Sequence, residues 1–318
     1  MIGAISEVAM TPTMTNTKPL LVVVLGPTGS GKTDLAVALA RHYNTEIIST
    51  DSRQFYIGMP IGTAQPDADQ LAAVPHHFIA DRKPEQELSA GGYEREALER
   101  LEELFGRHHV VVAVGGSGLY IDALCEGFDE LPSQTAEIRA TLMERLATEG
   151  LDSLVEELRV RDEEYWAVVD RRNPARIVRA LEVCIASGLP YSAQRTATKR
   201  ERPFEVVKIA IEWPREELYD RINCRVDMMV EAGLEAEART LYHLRHLSSL
   251  QTVGYREFFD YFDGKIDREE AIELIKRNSR RYAKRQMTWF RRDTSTHYIG
   301  PNDVARAIEI VAARLENN

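Results

Sequence analysis

The sequence predicts an α/β protein whose core is a parallel sheet covered by helices on both faces. Apolar, β-branched runs at residues 20–25, 109–114 and 206–211 have the length of buried strands, and residues 46–50 form a similar run. A helical pattern at residues 34–40 follows the first run. Continuous apolar strands separated by helices are typical of parallel sheets that are buried on both faces.

The first strand is joined to the first helix by a glycine-rich loop, Gly26-Pro27-Thr28-Gly29-Ser30-Gly31-Lys32-Thr33. This loop matches the pattern G-x-x-x-x-G-K-[ST] in the strand–loop–helix context that a P-loop requires. Its glycines let backbone N–H groups point at phosphate oxygens, and the helix N-terminus adds partial positive charge. Lys32 adds a full charge, and Thr33 offers a hydroxyl to Mg²⁺. We therefore predict a P-loop NTPase-like core, although the loop alone leaves open whether phosphorus or carbon is attacked.

Asp51 directly follows the second predicted strand and should lie at the carboxyl edge of the sheet, near the P-loop. Three roles are open for it: a Mg²⁺ ligand, a general base, or a cap of the next turn without chemistry. The third strand ends in Gly115-Gly116-Ser117-Gly118 and supplies no acidic residue, which makes Asp51 the leading carboxylate. The adjacent His76 and His77 lack a third ligand, which disfavours a metal site there.

Residues 129–203 differ from the rest of the chain, because they show charged helical patterns broken by proline and glycine and no convincing strand. We predict that they form a helical insertion domain. The P-loop core then comprises residues 20–128 and 204–318, and from residue 215 onwards it is mostly helical. Residues 1–19 are polar and rich in threonine, which predicts a flexible tail.

Composition narrows the class of protein. The longest apolar run is too short to cross a bilayer, and residues 1–19 lack the features of a secretory signal. Cys125, Cys184 and Cys224 are far apart and show no zinc-binding spacing. We therefore expect a cytoplasmic protein that contacts no membrane, and a monomer.

The formal net charge of −10 argues against nucleic-acid binding as a bulk property. Basic residues are nevertheless concentrated between residues 276 and 292, where no acidic residue occurs, and again between residues 171 and 202. The first group recurs at three- and four-residue steps, whereas Ile275, Tyr282 and Phe290 point largely away, as does Trp289. Solvated helix faces usually mix charges of both signs, so this face favours RNA binding. It comprises Arg277, Arg280, Arg281, Lys284, Thr288, Arg291 and Arg292.

Seven short motifs, in this order along the chain, resemble those of the bacterial tRNA dimethylallyltransferases, the IPP transferase family. The similarity extends over about residues 20–293, and several ordered motifs are far more specific than a P-loop alone. The motifs are the P-loop 26–33, Asp51-Ser52-Arg53-Gln54-Phe55-Tyr56, Ile61-Gly62-Thr63-Ala64, Val74-Pro75-His76-His77, Gly115-Gly116-Ser117-Gly118-Leu119-Tyr120, Arg176-Ile177-Val178-Arg179-Ala180-Leu181-Glu182 and Val253-Gly254-Tyr255-Arg256.

The resemblance implies transfer of a dimethylallyl group from dimethylallyl diphosphate to N6 of the adenosine 3′ of the tRNA anticodon, with diphosphate leaving from carbon. It implies that residues 26–33 bind the diphosphate together with Mg²⁺, held by Thr33 and Asp51. It implies catalytic roles for Asp51, Thr28 and Arg225, with Asp51 as general base and Arg225 at the diphosphate. Without the resemblance, Arg221 and Arg225 could equally form a solvated helix face.

The partner implied is the anticodon stem-loop, whose target base must be splayed out of its stack before attack. Three positions depart from the family pattern: Gly29 replaces Ala, Ser117 replaces Thr, and Ala175 replaces Gln, which removes a side-chain contact to RNA. Tyr255 is as compatible with a core position as with tRNA. The predicted tRNA contacts are Asp51, Ser52, Arg53, Gln54, Ser117, Arg139, Arg176, Arg179, Gly254, Tyr255, Arg256, Arg277, Arg280, Arg281, Lys284 and Arg285.

Three alternative functions remain open. A P-loop small-molecule kinase would use the insertion as a lid, and a prenyltransferase of free adenine nucleotides would share the P-loop chemistry. Neither needs the basic helix, and a mononucleotide does not need the long insertion. A non-catalytic RNA-binding ATPase module would leave dimethylallyl diphosphate unconsumed.

Overall fold

The computed structural model of the protein describes residues 18–129, 136–195 and 199–317. The chain divides into two compact units: the first ends at Cys125 and resumes at Arg202, and the second is Glu126–Glu201. Residues 1–17 of the predicted tail lie outside the described residues. Every helix within the described ranges is too short or too polar to span a bilayer.

A six-stranded parallel sheet forms the centre of the first unit, in the order β3-β2-β4-β1-β5-β6. The register places Val22 of the central strand between Val112 and Val207. This confirms the predicted parallel sheet, but β3 and β6 are too short to be recognised in the sequence as apolar runs. The strands are β1 (Leu20–Leu25), β2 (Ile47–Ser49), β3 (His76–His77), β4 (Val110–Gly115), β5 (Glu205–Ile211) and β6 (His297–Ile299).

Helices cover both faces of this sheet. Alternate side chains of β1 point to opposite sides, as strand geometry requires. Val22 packs with residues of α1 and α13 on one face, and Val23 packs with residues of α3 and α4 on the other. The helices of this part of the protein are α1 (Lys32–His42), α2 (Ala68–Ala73), α3 (Ala90–Phe105), α4 (Gly118–Glu126) and, near the C-terminus, α13 (Val304–Glu316).

The second unit is helical in the residues described, with its own core around Leu154, Leu158 and Leu181. Residues 130–135 and 196–198 of the predicted insertion lie outside the described part of the chain. The helices of this unit are α5 (Ala136–Thr148), α6 (Leu151–Arg161), α7 (Glu163–Val168) and α8 (Pro174–Ser187).

The chain returns to the first unit before β5, and after β5 it is mostly helical, as predicted, apart from β6. Tyr255, Phe258 and Phe259 anchor a separate apolar cluster among these helices. The helices are α9 (Arg215–Glu231), α10 (Leu234–Leu241), α11 (Tyr255–Phe262) and α12 (Arg268–Phe290).

The turn after β4 has three glycines because other parts of the first unit pack tightly against its backbone. A Cβ at Gly115 would lie 2.2 Å from Thr50 Oγ1. One at Gly116 would lie 2.2 Å from Nε2 of Gln286, and one at Gly118 would lie 2.3 Å from the Trp289 ring. Only glycine therefore lets β2 and α12 approach the end of β4.

Replacing Gly115 by alanine is expected to destabilise the fold by about 1–3 kcal/mol, because the new methyl group would overlap the side chain and backbone of Thr50. Gly91→Ala in α3 is the matched control, since nothing lies within 4 Å of a Cβ at that position. Thermal unfolding measures both variants. Equal unfolding midpoints would contradict the packing argument.

Candidate active site

A cavity of about 910 Å³ opens at the carboxyl edge of the sheet. Its walls are the P-loop, the loops that follow β2, and segments of α9, α11 and α12. Ligands bind at such edges in open α/β sheets. The predicted site residues that line it are Thr28, Gly29, Gly31, Lys32, Thr33, Asp51, Ser52, Arg53, Gln54, Gly254, Arg256, Arg225 and Arg285.

The P-loop has the backbone geometry of an anion cradle. Gly29 and Gly31 have φ angles of 80° and 86°, a left-handed conformation that favours glycine. Helix α1 begins directly afterwards at Lys32, and Gly31 has no side chain with which to cap it. The first amides of the helix are therefore available to an anion.

Side chains from α9 and from the residues before it hold the P-loop from behind. Nε1 of Trp213 donates to the carbonyl of Ser30 at 3.0 Å, and Nε of Arg221 donates to the carbonyl of Gly29 at 3.1 Å. The Arg221 guanidinium also stacks over the Trp213 ring, 4.3 Å from its centroid. Arg221 is exposed to solvent, as the solvated-face alternative expected, but it also braces the loop.

Lys32, Arg225 and Asp51 are charged residues of the cavity that act on one another. Burial lowers the pKa of Lys32 to about 8, opposed by the charge of Asp51 and assisted by that of Arg225. Burial also lowers the pKa of Arg225, whereas Asp51 and Asp34 raise it. The cost of desolvating both cations would be offset by a bound anion, which gives the cavity a preference for phosphate groups.

Asp51 both caps a turn and faces the cavity. Its Oδ1 accepts the backbone N–H of Arg53 at 3.0 Å, which is the contact expected of a capping residue. Its charge also acts on Lys32 and Arg225, so the cap is not its whole environment. The capping contact fixes the orientation of the carboxylate next to the two cations.

The hydroxyl of Ser117 joins the turn after β4 to the loop after β2. It accepts the Ser52 backbone N–H and donates to the Ser52 hydroxyl, each at 3.0 Å. Burial raises the pKa of the nearby Tyr282 on α12 to about 12, and Ser117 opposes this rise. Tyr282 lines the cavity. The sequence showed only that Tyr282 points away from the basic face, which is an indirect sign of this position.

Arg53 and Gln54 are engaged within the protein. Gln54 is buried, donates to the carbonyl of Ala64 at 2.8 Å and accepts from the Ser49 hydroxyl at 3.2 Å. Nη1 of Arg53 donates to the carbonyl of Ser248 at 3.0 Å. The amide of Gln54 therefore shapes the cavity rather than reaching towards a base.

Tyr255 does not contact solvent, so its prediction as a tRNA contact is wrong. It is fully buried in the apolar cluster of α10–α12, and its hydroxyl donates to Glu237 at 2.7 Å. The same carboxylate accepts the backbone N–H groups of Ile61 and Gly62 at 2.9 and 2.8 Å. Glu237 thus holds the loop of residues 61–64 against the helices, and no sequence signal singled it out.

Helix α12 presents the predicted basic face. Arg280 is only half-buried and donates to Asn223, and Arg291 pairs with Glu212 at 2.8 Å. Ile275 and Phe290 are buried on the opposite side, as predicted. Within the described ranges no carboxylate pairs with the exposed cations Arg277, Arg281, Lys284 and Arg285.

The predicted tRNA contacts of the second unit are partly neutralised. Arg139 and Arg179 both pair with the buried Glu182, at 2.9 and 3.5 Å. Arg176 is exposed near the start of α8, where Asn173 caps the helix. Their contact with tRNA remains a prediction.

The cavity has the donor set for a hard divalent cation. Thr33 and Asp51 both border it and offer oxygen ligands. Among the described residues no group of three or more His, Cys, Asp or Glu side chains could hold a metal ion. A cation would therefore be held largely by ligand and water oxygens, as is usual for Mg²⁺. His77 instead bonds Glu46 at 2.7 Å at the edge of the sheet.

Known proteins whose sequences are similar to this chain are named for the same activity. The model of the IPP transferase family matches residues 54–293. tRNA dimethylallyltransferase 1 of Bacteroides fragilis is 47% identical over 300 residues, which are 94% of this chain and 100% of that protein. tRNA dimethylallyltransferase of Christiangramia forsetii is 51% identical over 273 residues, which are 86% of this chain and 90% of that protein.

Solved structures that resemble this chain carry names of the same kind. A tRNA isopentenylpyrophosphate transferase from Bacillus halodurans superposes with a TM-score of 0.70 at 37% identity, covering 94% of this chain and 98% of its own. A eukaryotic dimethylallyltransferase, captured acting on tRNA, has a TM-score of 0.76, covering 93% of this chain and 77% of its own. At 24% identity, the second comparison shows a likeness of fold alone.

Binding of pyrophosphate is expected to weaken as the pH rises through about 8, where the lowered pKa of Lys32 lies. The charged ammonium predominates below that pH and is lost above it, so the cradle loses a positive charge. Lys32→Arg is the control, because its guanidinium stays charged and its profile follows only the ionisation of pyrophosphate. Calorimetric titration between about pH 7 and about pH 9 compares the two. Parallel profiles would show that Lys32 does not titrate there.

Proposed function

The chain belongs to the IPP transferase family, and from this we propose that it transfers a dimethylallyl group to N6 of the adenosine 3′ of the tRNA anticodon. It is a transferase that modifies tRNA, an activity carried by the names of relatives that match nearly its whole length. The donor in this proposal is dimethylallyl diphosphate, and diphosphate is released. The observation that carries the proposal is the grouping of Lys32, Arg225 and Asp51 in one cavity beside the P-loop.

The P-loop holds the diphosphate in this reaction. Negative charge grows on the leaving oxygen as the allylic C–O bond breaks, and fixed positive groups lower the energy of that transition state. Backbone amides of the P-loop other than those of Thr28 and Ser30, which are bonded within the protein, provide them, together with the Lys32 ammonium and the Arg225 guanidinium. The hydroxyl of Thr28, which borders the cavity, donates to the diphosphate. Mg²⁺, held by Thr33 and Asp51, would neutralise charge on the diphosphate oxygens.

Asp51 acts on the other reactant. The lone pair of adenine N6 forms the new bond to the allylic carbon, the bond from that carbon to diphosphate breaks, and N6 is left with a surplus proton. Asp51 accepts this proton. Because N6 becomes acidic only as the C–N bond forms, a carboxylate of ordinary basicity suffices. The hydrogen bond from Arg53 N–H keeps the carboxylate oriented towards the reacting atoms.

The tRNA lies along the exposed face of α12. Arg281, Lys284 and Arg285 have no carboxylate partner among the described residues, so phosphates of the tRNA can act as their counterions. Arg285 also borders the cavity, which makes the basic face continuous with the site. Of the predicted contacts, Gly254 and Arg256 border the cavity, which supports a role for them at the displaced base.

The cellular setting follows from the substrate. We propose that the protein works in the cytoplasm, where tRNA is present and thiols stay reduced. Cys125, Cys184 and Cys224, all of them described residues, form no disulfide, which fits such a compartment. A monomeric state remains a prediction.

Mass analysis of tRNA nucleosides after incubation with dimethylallyl diphosphate and Mg²⁺ tests this function directly. The expected product is adenosine that carries one dimethylallyl group. Phosphate transfer from labelled ATP to a nucleoside, without prenylation, would instead identify a kinase. Prenylation of free adenine nucleotides, but not of tRNA, would identify the mononucleotide enzyme.

Asp51→Asn is expected to lower the rate of prenylation by about 10²–10⁴-fold, because the amide keeps the shape of the side chain but cannot accept the N6 proton. Binding of tRNA should be retained. Asp220→Asn is the matched control, since Asp220 borders the same cavity from α9 but is exposed to solvent. Single-turnover assays compare the three proteins. Near-normal turnover by Asp51→Asn would exclude Asp51 as the base.

Reversing two charges, Arg281→Glu with Lys284→Glu, is expected to weaken binding of the anticodon stem-loop. The slope of log affinity against log salt concentration should fall by about 1.4–1.8, because two fewer counterions are released. Arg41→Glu with Arg306→Glu changes the net charge equally at exposed sites on α1 and α13. Filter binding over a salt series measures both pairs. The same slope for both double variants would remove α12 from the interface.

A further inference from the structure

Gln286 is a buried polar residue on α12 whose side-chain amide connects two segments of the cavity wall. Its Oε1 accepts the backbone N–H of Thr28 at 2.9 Å, and its Nε2 donates to the carbonyl of Gly116 at 2.8 Å. It is 5% exposed, and both ends of its amide are satisfied. A buried amide bonded at both ends has one orientation, so it holds the P-loop at a fixed distance from the end of β4.

The hydrogen bond to Thr28 affects how the P-loop meets its ligand. A P-loop normally turns successive N–H groups towards phosphate, but the Thr28 N–H is already taken by Gln286. Thr28 still borders the cavity, so its hydroxyl is the polar group it can offer to a ligand. The position of that hydroxyl depends on the backbone that Gln286 holds.

Gln286 belongs to a row of α12 residues that all contact the glycine turn after β4. Tyr282, one turn earlier, lies beside Ser117, and Trp289, one turn later, packs on Gly118 and donates to Asp122 at 3.0 Å. These positions recur at four- and three-residue steps and so share one face of the helix. The exposed cation Lys284, two residues before Gln286, lies on the opposite side.

We propose that Gln286 is a positioning residue for the transfer reaction, which sets the Thr28 end of the P-loop for diphosphate and does so from the helix that carries the tRNA-binding face. The inference rests on the proposed function, because it assigns the cavity to a diphosphate. It separates the two faces of α12: the buried face controls the donor site, and the exposed face controls tRNA affinity.

The test compares Gln286→Met with Lys284→Gln, two residues apart on the two faces of α12. Gln286→Met keeps the volume but makes neither hydrogen bond, so affinity for inorganic pyrophosphate with Mg²⁺ should fall about tenfold. The rate of prenylation should fall about a hundredfold, because Thr28 is misplaced. Affinity for the anticodon stem-loop should stay unchanged. Lys284→Gln should show the reverse, with weaker stem-loop binding and unchanged pyrophosphate binding.

Gln286→Glu provides a second measurement, whose expected result a general loss of structure would not produce. A neutral glutamic acid can still donate to Gly116 and accept from Thr28, whereas the carboxylate repels both Gly116 and the diphosphate. Relative to the wild type, its pyrophosphate affinity should therefore recover as the pH is lowered.

The outcomes are distinct. Wild-type pyrophosphate affinity in Gln286→Met, or a pH profile of Gln286→Glu parallel to that of the wild type, would overturn the positioning role. Equal losses of pyrophosphate and stem-loop binding in Gln286→Met would overturn it as well, because a general loss of structure predicts that result. A wild-type chain that binds no pyrophosphate would count against the proposed function itself.

Discussion

The P-loop depends on side chains that lie 183 to 258 residues away in the chain, and the rest of the site depends on the P-loop. A glycine-rich loop costs conformational entropy when it is fixed, and its own sequence offers little to fix it. Here three carbonyl or amide groups of the loop are bonded from outside, by Trp213, Arg221 and Gln286. The amides that remain can point into the cavity without rearranging when a ligand binds.

Holding two buried cations in the same cavity has an electrostatic cost. Lys32 and Arg225 are held where burial disfavours their charged forms, with Asp51 as a nearby partial counterweight. An arrangement of this kind lowers stability in the free protein and is retained because a diphosphate relieves it. In the proposed reaction Asp51 must also meet the acceptor base, so its carboxylate cannot simply neutralise the cations. Donor binding and base chemistry therefore share one set of charges.

Much of this organisation could be predicted from sequence, and the misses have a common cause. The P-loop, the central strands and the basic face of α12 are local patterns, readable from spacing and composition alone. The strands β3 and β6 have two and three residues, too few to show a period. Gln286 and Glu237 act through contacts between distant segments, and nothing beside them in the sequence signals those contacts.

Tyr255 shows why proximity to a motif was misleading. It lies between Gly254 and Arg256, which border the cavity, but its helix turns the ring inwards to Glu237 and to the position where Gly62 has no side chain. A Cβ at Gly62 would lie 2.5 Å from that ring, so the glycine and the tyrosine form one packing unit. Two of the motifs shared with the family thus describe a single contact that shapes the cavity wall.

The distribution of charge supports the proposal that this acidic chain binds RNA along α12. The net charge is −10, although residues 276–292 hold eight basic side chains and no acidic one, so the remaining surface is more acidic than the total suggests. Phosphates are repelled by most of that surface and attracted along α12. Because the opposite face of α12 is bonded to the P-loop through Gln286, RNA held by this helix lies at a fixed distance from the donor site. The acidic remainder thus contributes to specificity by leaving the tRNA one favourable place to dock.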